Sequence, residues 1–164
     1  MIPLKIVTKE QALQKLKHYC AYQERCHSEA RQKLYSLGLR TRDVEEVISS
    51  LIEEDYLNEE RFAEQYAGGK FRMNGWGRVK IVQALQQKKI STYCINKALK
   101  QINTEGYEAR LLKLARVKWN SLKGEKAISR QAKTYSYLLQ KGYEADQVGK
   151  AVAILRNEID EHSE

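Results

Sequence analysis

Four residues of the types that bind zinc lie close together near the start of the chain: His18, Cys20, Cys26 and His27. Thiolate and imidazole are the usual zinc ligands, but this spacing matches no common zinc finger. The chain has three histidines and no Ser-His-Asp or Cys-His arrangement that would support nucleophilic or acid–base catalysis. The sequence therefore predicts no catalytic residue, metal or cofactor, and indicates a protein that is not an enzyme.

Charge is the chemical signal that the sequence carries most clearly. The net charge is +8, but residues 1–66 sum to −2, residues 67–142 to +14 and residues 143–164 to −4. A basic centre between acidic ends favours a polyanion or an acidic protein surface as partner. A generally basic, solvated surface is the alternative interpretation.

Within the basic tract, cations alternate with aromatic residues, a pattern typical of grooves that follow single-stranded nucleic acid by phosphate contacts and base stacking. Trp76 lies in the Gly-flanked segment NGWGR and is the candidate for stacking, whereas Trp119 is expected in the core. A phosphate-binding loop at Gly77 is a weaker alternative, because no strand precedes it. The predicted basic face consists of Lys70, Arg72, Arg78, Lys80, Lys88, Lys89, Arg110, Arg116, Lys118, Arg130 and Lys133.

The elements that must position these residues are helices arranged as an internal repeat. Three segments align at 33–51, 84–102 and 137–155, and the last four apolar positions of each fall at i, i+3, i+4 and i+7, which is one face of an α-helix. A further helix precedes each pair. We therefore predict an all-α fold of three tandem three-helix modules forming an elongated, curved, right- or left-handed helical array. The predicted bounds are 1–56 for module 1, 57–104 for module 2, 105–158 for module 3 and 159–164 for an acidic tail.

Local signals predict where helices begin and end. Thr8 with Gln11 fits a capping box, and Asn58 is a good N-cap. Gly38 and Gly142 suit left-handed turns between helices, and Lys89 stands at the same position of module 2 without glycine's freedom. The pair Gly68-Gly69 is expected to form a weak point or bend.

The centre of the chain resembles the RecX family. The resemblance rests on DYLNEERFA at 55–63 and GWGRVKIVQALQQKKI at 75–90, with EARQKL at 29–34 and LLQKGY at 138–143 as further matches. Most matching positions are apolar or glycine and are expected to be structural. They are Tyr56, Leu57, Asn58, Arg61, Phe62, Ala63, Gly75, Gly77, Ile81, Leu85, Lys88 and Ile90.

The resemblance implies a regulator that binds the RecA–single-stranded DNA filament and inhibits the recombinase, ATPase and coprotease activities of RecA. It also implies a place in DNA repair, homologous recombination and the SOS response, with DNA binding by the protein itself, double-stranded DNA included. The alternatives are a stand-alone helical DNA-binding protein and a helical protein-interaction scaffold. We expect the protein to be monomeric. We also expect it to be cytoplasmic, because the N-terminus lacks a signal-peptide core and no apolar run approaches ~20 residues.

Overall fold

The computed structural model describes residues 6–161, with side chains for residues 6–158. Over this range the chain is all-helical, which confirms the predicted fold class. Its elements are α1 (Lys9–Tyr22), α2 (His27–Ser36), α3 (Thr41–Glu53), α4 (Glu59–Asn74), α5 (Arg78–Gln87), α6 (Thr92–Lys100), α7 (Thr104–Ser121), α8 (Ala127–Gln140) and α9 (Ala145–Glu161).

The three-fold sequence repeat is visible in the turn that follows the second helix of each module. In every copy, the first aligned leucine accepts a backbone hydrogen bond from the residue five positions later, as in a Schellman helix end. The pairs are Leu34–Leu39, Leu85–Ile90 and Leu138–Tyr143, with N···O distances of 3.4, 3.1 and 3.3 Å. A left-handed residue makes each turn: Gly38 (φ 88°), Lys89 (φ 62°) and Gly142 (φ 96°). Lys89 therefore adopts the left-handed conformation although it has a Cβ, whereas the other two modules have glycine at this position.

Helix starts follow the predicted caps. The Thr8 hydroxyl accepts from Gln11 N, and the Gln11 amide oxygen accepts from Thr8 N, both at 3.1 Å, which completes the capping box. The Asn58 side chain accepts from Arg61 N at 2.9 Å at the start of α4. Each cap satisfies N–H groups that have no partner inside the helix.

The chain divides into two compact units. Unit 1 contains the chain up to Gln65 together with Leu85–Lys97, and unit 2 contains Tyr66–Ala84 together with the chain from Ala98 onward. Helices α4, α5 and α6 each contribute residues to both units. The module boundaries drawn from the repeat stay a prediction.

Each unit has its own core. In unit 1, Leu16, Leu34 and Leu51 are fully buried where α1, α2 and α3 meet. In unit 2, the largest fully buried side chains include Tyr107 and Tyr143, whose ring centroids lie 5.1 Å apart. Burial of each such side chain contributes roughly 1.5–3 kcal/mol, so these residues fix the helix packing.

The Gly68-Gly69 pair does not end a helix, because α4 runs continuously from Glu59 to Asn74. Gly68 leaves space for a neighbouring side chain. A Cβ added there would lie 2.8 Å from Nη1 of Arg72, so the missing side chain leaves room for that guanidinium. The weak point or bend expected at this pair stays a prediction.

Candidate nucleic-acid interface

The loop between α4 and α5 holds the aromatic side chain that the sequence singled out. Trp76 is half-buried, and two ammonium groups lie over its ring: Nζ of Lys70 at 4.9 Å and Nζ of Lys80 at 4.6 Å from the centroid. The ring centroid of Tyr66 lies 6.5 Å from that of Trp76 in an edge-to-face arrangement, and Nζ of Lys70 lies 5.5 Å from the Tyr66 centroid. We call Lys70, Trp76 and Lys80 the Trp76 cluster.

The backbone of this loop is held against the α8–α9 turn. Gly77 N donates to Lys141 O at 2.8 Å, and Val79 N donates to Gly142 O at 2.9 Å. A Cβ on Gly77 would lie 2.4 Å from the backbone carbon of Gly142, so only glycine permits this approach. Gly77 therefore serves helix–turn packing and precedes the first residue of α5.

A second group of cations and an aromatic ring lies at the same turn. Nζ of Lys141 donates to Asn74 O at 3.1 Å and lies 5.9 Å from the Tyr137 ring centroid. Nζ of Lys118 lies 5.1 Å from the same ring. We call Lys118, Tyr137 and Lys141 the Tyr137 cluster. Its Lys118 and Tyr137 line a shallow depression of about 340 Å³, which Lys133 also lines.

Hydrogen bonds of one loop join the two clusters. Lys141 donates from Nζ to Asn74 O and accepts at its backbone oxygen from Gly77 N, and Trp76 lies between Asn74 and Gly77 in sequence. Within the described residues, no carboxylate lies within ion-pair distance of the cluster cations Lys70, Lys80, Lys118 and Lys141. Cations without internal carboxylate partners, lying on aromatic rings, are suited to phosphates and stacked bases.

A further basic depression lies where the end of α4 meets α7. It has a volume of about 280 Å³ and is lined by Phe71, Arg72, Gly106, Ala109, Arg110 and Lys113. Nη2 of Arg110 donates to Arg72 O at 3.3 Å, while its buried Nε has no hydrogen-bond partner within the described structure. The depression therefore contains three cationic side chains, and one of them, Arg110, has an N–H group without a hydrogen-bond partner in the described structure.

Arg78 has a different environment from its basic neighbours. Its guanidinium lies 3.8 Å from the Tyr107 ring centroid and 3.5 Å from Oε2 of Glu144. The Tyr107 hydroxyl accepts from Arg78 N at 3.0 Å and donates to Oε1 of Glu144 at 2.9 Å. Burial is the main cause that raises the pKa of Tyr107, so the phenol stays protonated and able to donate. Arg78 thus belongs to a partly buried polar network.

Tyr143 holds the loop that carries Trp76 through a side-chain hydrogen bond. Its hydroxyl donates to Gly75 O at 3.0 Å, and burial raises the pKa of Tyr143 to about 12. Gly75 itself has a left-handed backbone with φ 68°. The loop that carries Trp76 is therefore fixed by a buried hydroxyl as well as by backbone hydrogen bonds.

Family models match most of the second half of the chain. The model described as the second three-helix domain of RecX matches residues 58–99, and the third three-helix domain of RecX matches residues 105–152. Together they cover more than half of the sequence. The chain belongs to the RecX family. This confirms the resemblance found in the sequence and the tandem three-helix fold.

Curated relatives in the RecX family carry the name Regulatory protein RecX. The protein of Clostridium perfringens is 34% identical over 131 residues, which cover 79% of this chain and 61% of the relative. The protein of Vibrio parahaemolyticus is 32% identical over 127 residues, which cover 76% of this chain and 79% of the relative. The chain thus spans about three-fifths of the Clostridium protein's length.

Solved structures of RecX proteins show the same fold. The crystal structure of RecX from Lactobacillus salivarius matches with a TM-score of 0.82 and 24% identity, covering 90% of this chain and 96% of that one. A second crystal structure of a regulatory protein RecX gives a TM-score of 0.81 and 23% identity, covering 87% and 72%. No helix within residues 6–161 is long and apolar enough to cross a bilayer.

Most residues that carry the RecX motif are buried. Leu57, Phe62, Ala63, Gly77, Ile81, Leu85 and Ile90 are buried, and Tyr56 and Asn58 are half-buried. Arg61 pairs with Glu24 at 2.6 Å and with Asp55 at 3.2 Å, and its hydrogen bond to Glu24 is the main cause that raises its pKa. These positions build unit 1 and unit 2 rather than a ligand surface.

The remaining cations of the predicted basic face are paired inside the protein or lie in the other unit. Arg116 makes a two-pronged ion pair with Glu158 at 2.6 and 3.1 Å, and Lys133 pairs with Glu125 at 2.8 Å. Arg130 donates from Nε to Trp119 O at 2.8 Å, and its guanidinium lies 4.3 Å from that ring. Lys88 and Lys89 belong to unit 1. Lys88 approaches Glu29 at 3.5 Å.

Lys141 is the cluster residue that sequence reasoning missed. It lies immediately before the left-handed Gly142, and the turn was interpreted only as a repeat landmark. Its position beside Tyr137, four residues earlier on a helix, was the available signal.

The zinc-type residues near the N-terminus lie within unit 1. Cys20, Cys26 and Cys94 are buried free thiols, and burial raises the pKa of Cys20 to about 11. Over the described side chains, no three His, Cys, Asp or Glu residues are grouped to hold a metal ion. The Cys26 thiol instead contacts Ser28 and Glu29, both at 3.1 Å.

Proposed function

We propose that this chain binds the RecA–single-stranded DNA filament and inhibits the recombinase, ATPase and coprotease activities of RecA, and so modulates DNA repair, homologous recombination and the SOS response. The observation that carries the proposal is membership of the RecX family, whose curated members are regulatory proteins. In this proposal the protein acts as a cytoplasmic monomer without catalytic residues of its own.

The Trp76 and Tyr137 clusters are the surface that we assign to DNA. Among the described side chains, no carboxylate lies within ion-pair distance of their cations, so phosphate groups would supply close counter-charges. The half-buried rings of Trp76 and Tyr137 are the stacking candidates in this proposal, and stacking of a base on an aromatic ring contributes about 1–3 kcal/mol. Arg78, Arg116 and Arg130 hold unit 2 together in this proposal and contribute mainly to its stability.

The decisive experiment measures ATP hydrolysis by RecA on single-stranded DNA, with the protein added below the RecA concentration. We expect hydrolysis to fall and filament growth, followed by light scattering, to slow. Unchanged hydrolysis and unchanged growth would refute the proposal, whatever the protein's affinity for DNA alone.

The DNA surface is tested by Lys70→Gln/Lys80→Gln. Removing two phosphate contacts lowers the slope of log affinity against log salt for a single-stranded oligonucleotide by about 1.4. The matched control is Lys100→Gln/Lys123→Gln, which removes the same charge from exposed positions of unit 2. Fluorescence anisotropy of a labelled oligonucleotide gives both slopes. Equal slopes for the two variants would remove the Trp76 cluster from the DNA surface.

The same variants distinguish the alternatives. Tight binding to duplex DNA with no effect on RecA would indicate a stand-alone DNA-binding protein. Inhibition of RecA that survives Lys70→Gln/Lys80→Gln undiminished would indicate a scaffold that contacts protein alone.

A further inference from the structure

A groove between α7 and α9 lies apart from both basic clusters within unit 2. It has a volume of about 480 Å³ and is lined by Glu105, Glu108, Ala109, Leu111, Leu112, Asp146, Gln147, Lys150, Ala151 and Ile154. Ile154 is 45% exposed although it lies on a helix that buries several apolar neighbours. The groove therefore has an apolar floor that the protein itself leaves uncovered.

The groove is built from one regular row of each helix. On α7 the row is Glu105, Glu108, Ala109 and Leu112, and on α9 it is Gln147, Lys150, Ala151 and Ile154. Both rows follow the i, i+3, i+4, i+7 spacing that defines a helix face. Two parallel rows of this kind, with alanine at the middle, form the seat into which the ridge of a third helix packs.

The other two modules close the equivalent position with an ion pair. In module 1, Lys9 on α1 pairs with Glu46 on α3 at 2.7 Å. In module 2, Glu60 on α4 pairs with Lys97 on α6, also at 2.7 Å. Each pair joins the first and third helix of its module across the surface.

In module 3 the corresponding residues are Glu108 and Lys150. Glu108 precedes the buried Leu111 by three residues, as Lys9 precedes Ala12, and Lys150 follows Val148 by two, as Glu46 follows Val44. Within the described structure, Glu108 and Lys150 form no ion pair, and the groove lies between their helices.

One position along these helices is still bridged in module 3. Arg116 and Glu158 pair at 2.6 Å, as Lys17 and Glu54 do in module 1. The Arg116–Glu158 ion pair thus bridges α7 and α9 beyond one end of the groove. No such ion pair of described residues bridges the other, open end, at Glu105, Glu108 and Asp146.

The open end is acidic. Glu105, Glu108 and Asp146 make no ion pair with any described residue, and Lys150 is the one cation among the lining residues. Glu105 and Asp146 lie in the first turns of α7 and α9, where the helix dipole favours acids, but Glu108 lies beyond the first turn. This end repels nucleic acid and attracts cations, in contrast to the +14 tract that contains α7 and α8.

We propose that this groove binds an amphipathic, basic helix of a partner protein, with the helix's apolar stripe on Leu112, Ala151 and Ile154 and its cations at Glu105, Glu108 and Asp146. An apolar helix face lying in a groove between two helices is a common mode of peptide recognition. The partner's cations take the place of the internal bridge that modules 1 and 2 possess. This surface acts independently of the proposed DNA surface.

The probe is a synthetic peptide of about three helical turns with leucines at i, i+4 and i+7 and lysines or arginines on both flanks. One control peptide has the same composition with the leucines dispersed, and another replaces the cations with glutamate. We expect titration by isothermal calorimetry to show binding of the basic amphipathic peptide alone, weakening as salt rises. No binding at millimolar peptide, or equal binding of the three peptides, overturns the proposal.

Two variants locate the site. Ile154→Asp places a charge on the apolar floor and is expected to weaken peptide binding at least tenfold, while Ile128→Asp, at an 85% exposed position outside the groove, leaves it unchanged. Glu105→Gln/Glu108→Gln is expected to weaken binding about three- to tenfold, against no change for Glu10→Gln/Glu53→Gln. Circular dichroism verifies that each variant is folded.

The charge variant decides the result should Ile154→Asp unfold the protein. Equal affinity of the wild type and Glu105→Gln/Glu108→Gln overturns the proposal. Amide chemical shifts that move at Lys70 and Lys80, with none moving along α7 and α9, overturn it as well.

Discussion

The close approach of Gly77 to the α8–α9 turn makes Gly77→Ala the sharpest test of how unit 2 is assembled. An added Cβ would lie 2.4 Å from the carbon and oxygen of Gly142 and 2.5 Å from Tyr143 N, all backbone atoms. Relief therefore requires the loop and the turn to separate. That separation stretches two hydrogen bonds, Gly77 N to Lys141 O and Val79 N to Gly142 O.

The magnitude follows from these two effects. Overpacking in a rigid site costs about 1–3 kcal/mol, and each lost backbone hydrogen bond costs about 1 kcal/mol. Gly77→Ala is thus expected to lower the free energy of unfolding by about 3–5 kcal/mol, a large part of the ~5–15 kcal/mol typical of a folded domain. Urea denaturation followed by far-ultraviolet circular dichroism measures the change.

The matched control is Gly69→Ala. Gly69 lies inside α4 with nothing within 4 Å of an added Cβ, so this variant is expected to gain about 0.5–1 kcal/mol from helix propensity. A Gly77→Ala protein as stable as the wild type, or stabilised like Gly69→Ala, would show that the backbone approach argued from Gly77 is wrong.

Three further predictions concern single side chains. Lys89→Gly should raise the free energy of unfolding by about 0.5–1 kcal/mol in urea denaturation, because the left-handed φ of 62° no longer opposes a Cβ, whereas Lys89→Ala should not. Burial lowers the pKa of His27 from 6.5, so the stability that its neutral form contributes is present above pH 6.5 and is lost as pH falls through the folded-state pKa. Stability measured between pH 5 and 8, a range of about three units around the pKa of an ordinary histidine, should therefore depend less on pH in His27→Gln than in the wild type. Tyr107→Phe should cost about 1–3 kcal/mol in thermal or urea denaturation, because Oε1 of Glu144 loses its buried donor; an unchanged midpoint would contradict this.

The repeat made the backbone largely predictable from sequence. Leucine at 34, 85 and 138, followed at a fixed distance by an apolar quartet, defines two helices and the turn between them wherever it occurs. Even Lys89 was placed in its left-handed turn, because alignment with Gly38 and Gly142 requires it. Periodicity and turn geometry are local, and local rules were sufficient for them.

The roles of individual arginines were not predictable in the same way. Arg78 and Lys80 lie two residues apart on α5, yet Arg78 joins a partly buried network with Tyr107 and Glu144 while Lys80 lies over Trp76. The partners, Tyr107 on α7 and Glu144 immediately before α9, lie 29 and 66 residues away along the chain. Only the tertiary packing of unit 2 decides which cation forms an ion pair within the protein and which one can bind a ligand.

The positions of the two tryptophans have a practical consequence for spectroscopy. Trp76 and Trp119 are the only tryptophans in the sequence, and both belong to unit 2. Excitation at the red edge of the protein absorption band, where tyrosine hardly absorbs, therefore reports on unit 2 alone. The two indoles also differ in environment, since Trp76 is half-buried between two ammonium groups and Trp119 is buried beneath a guanidinium. Replacing either one by phenylalanine leaves a single natural emitter, so the chain carries its own pair of intrinsic reporters without a dye.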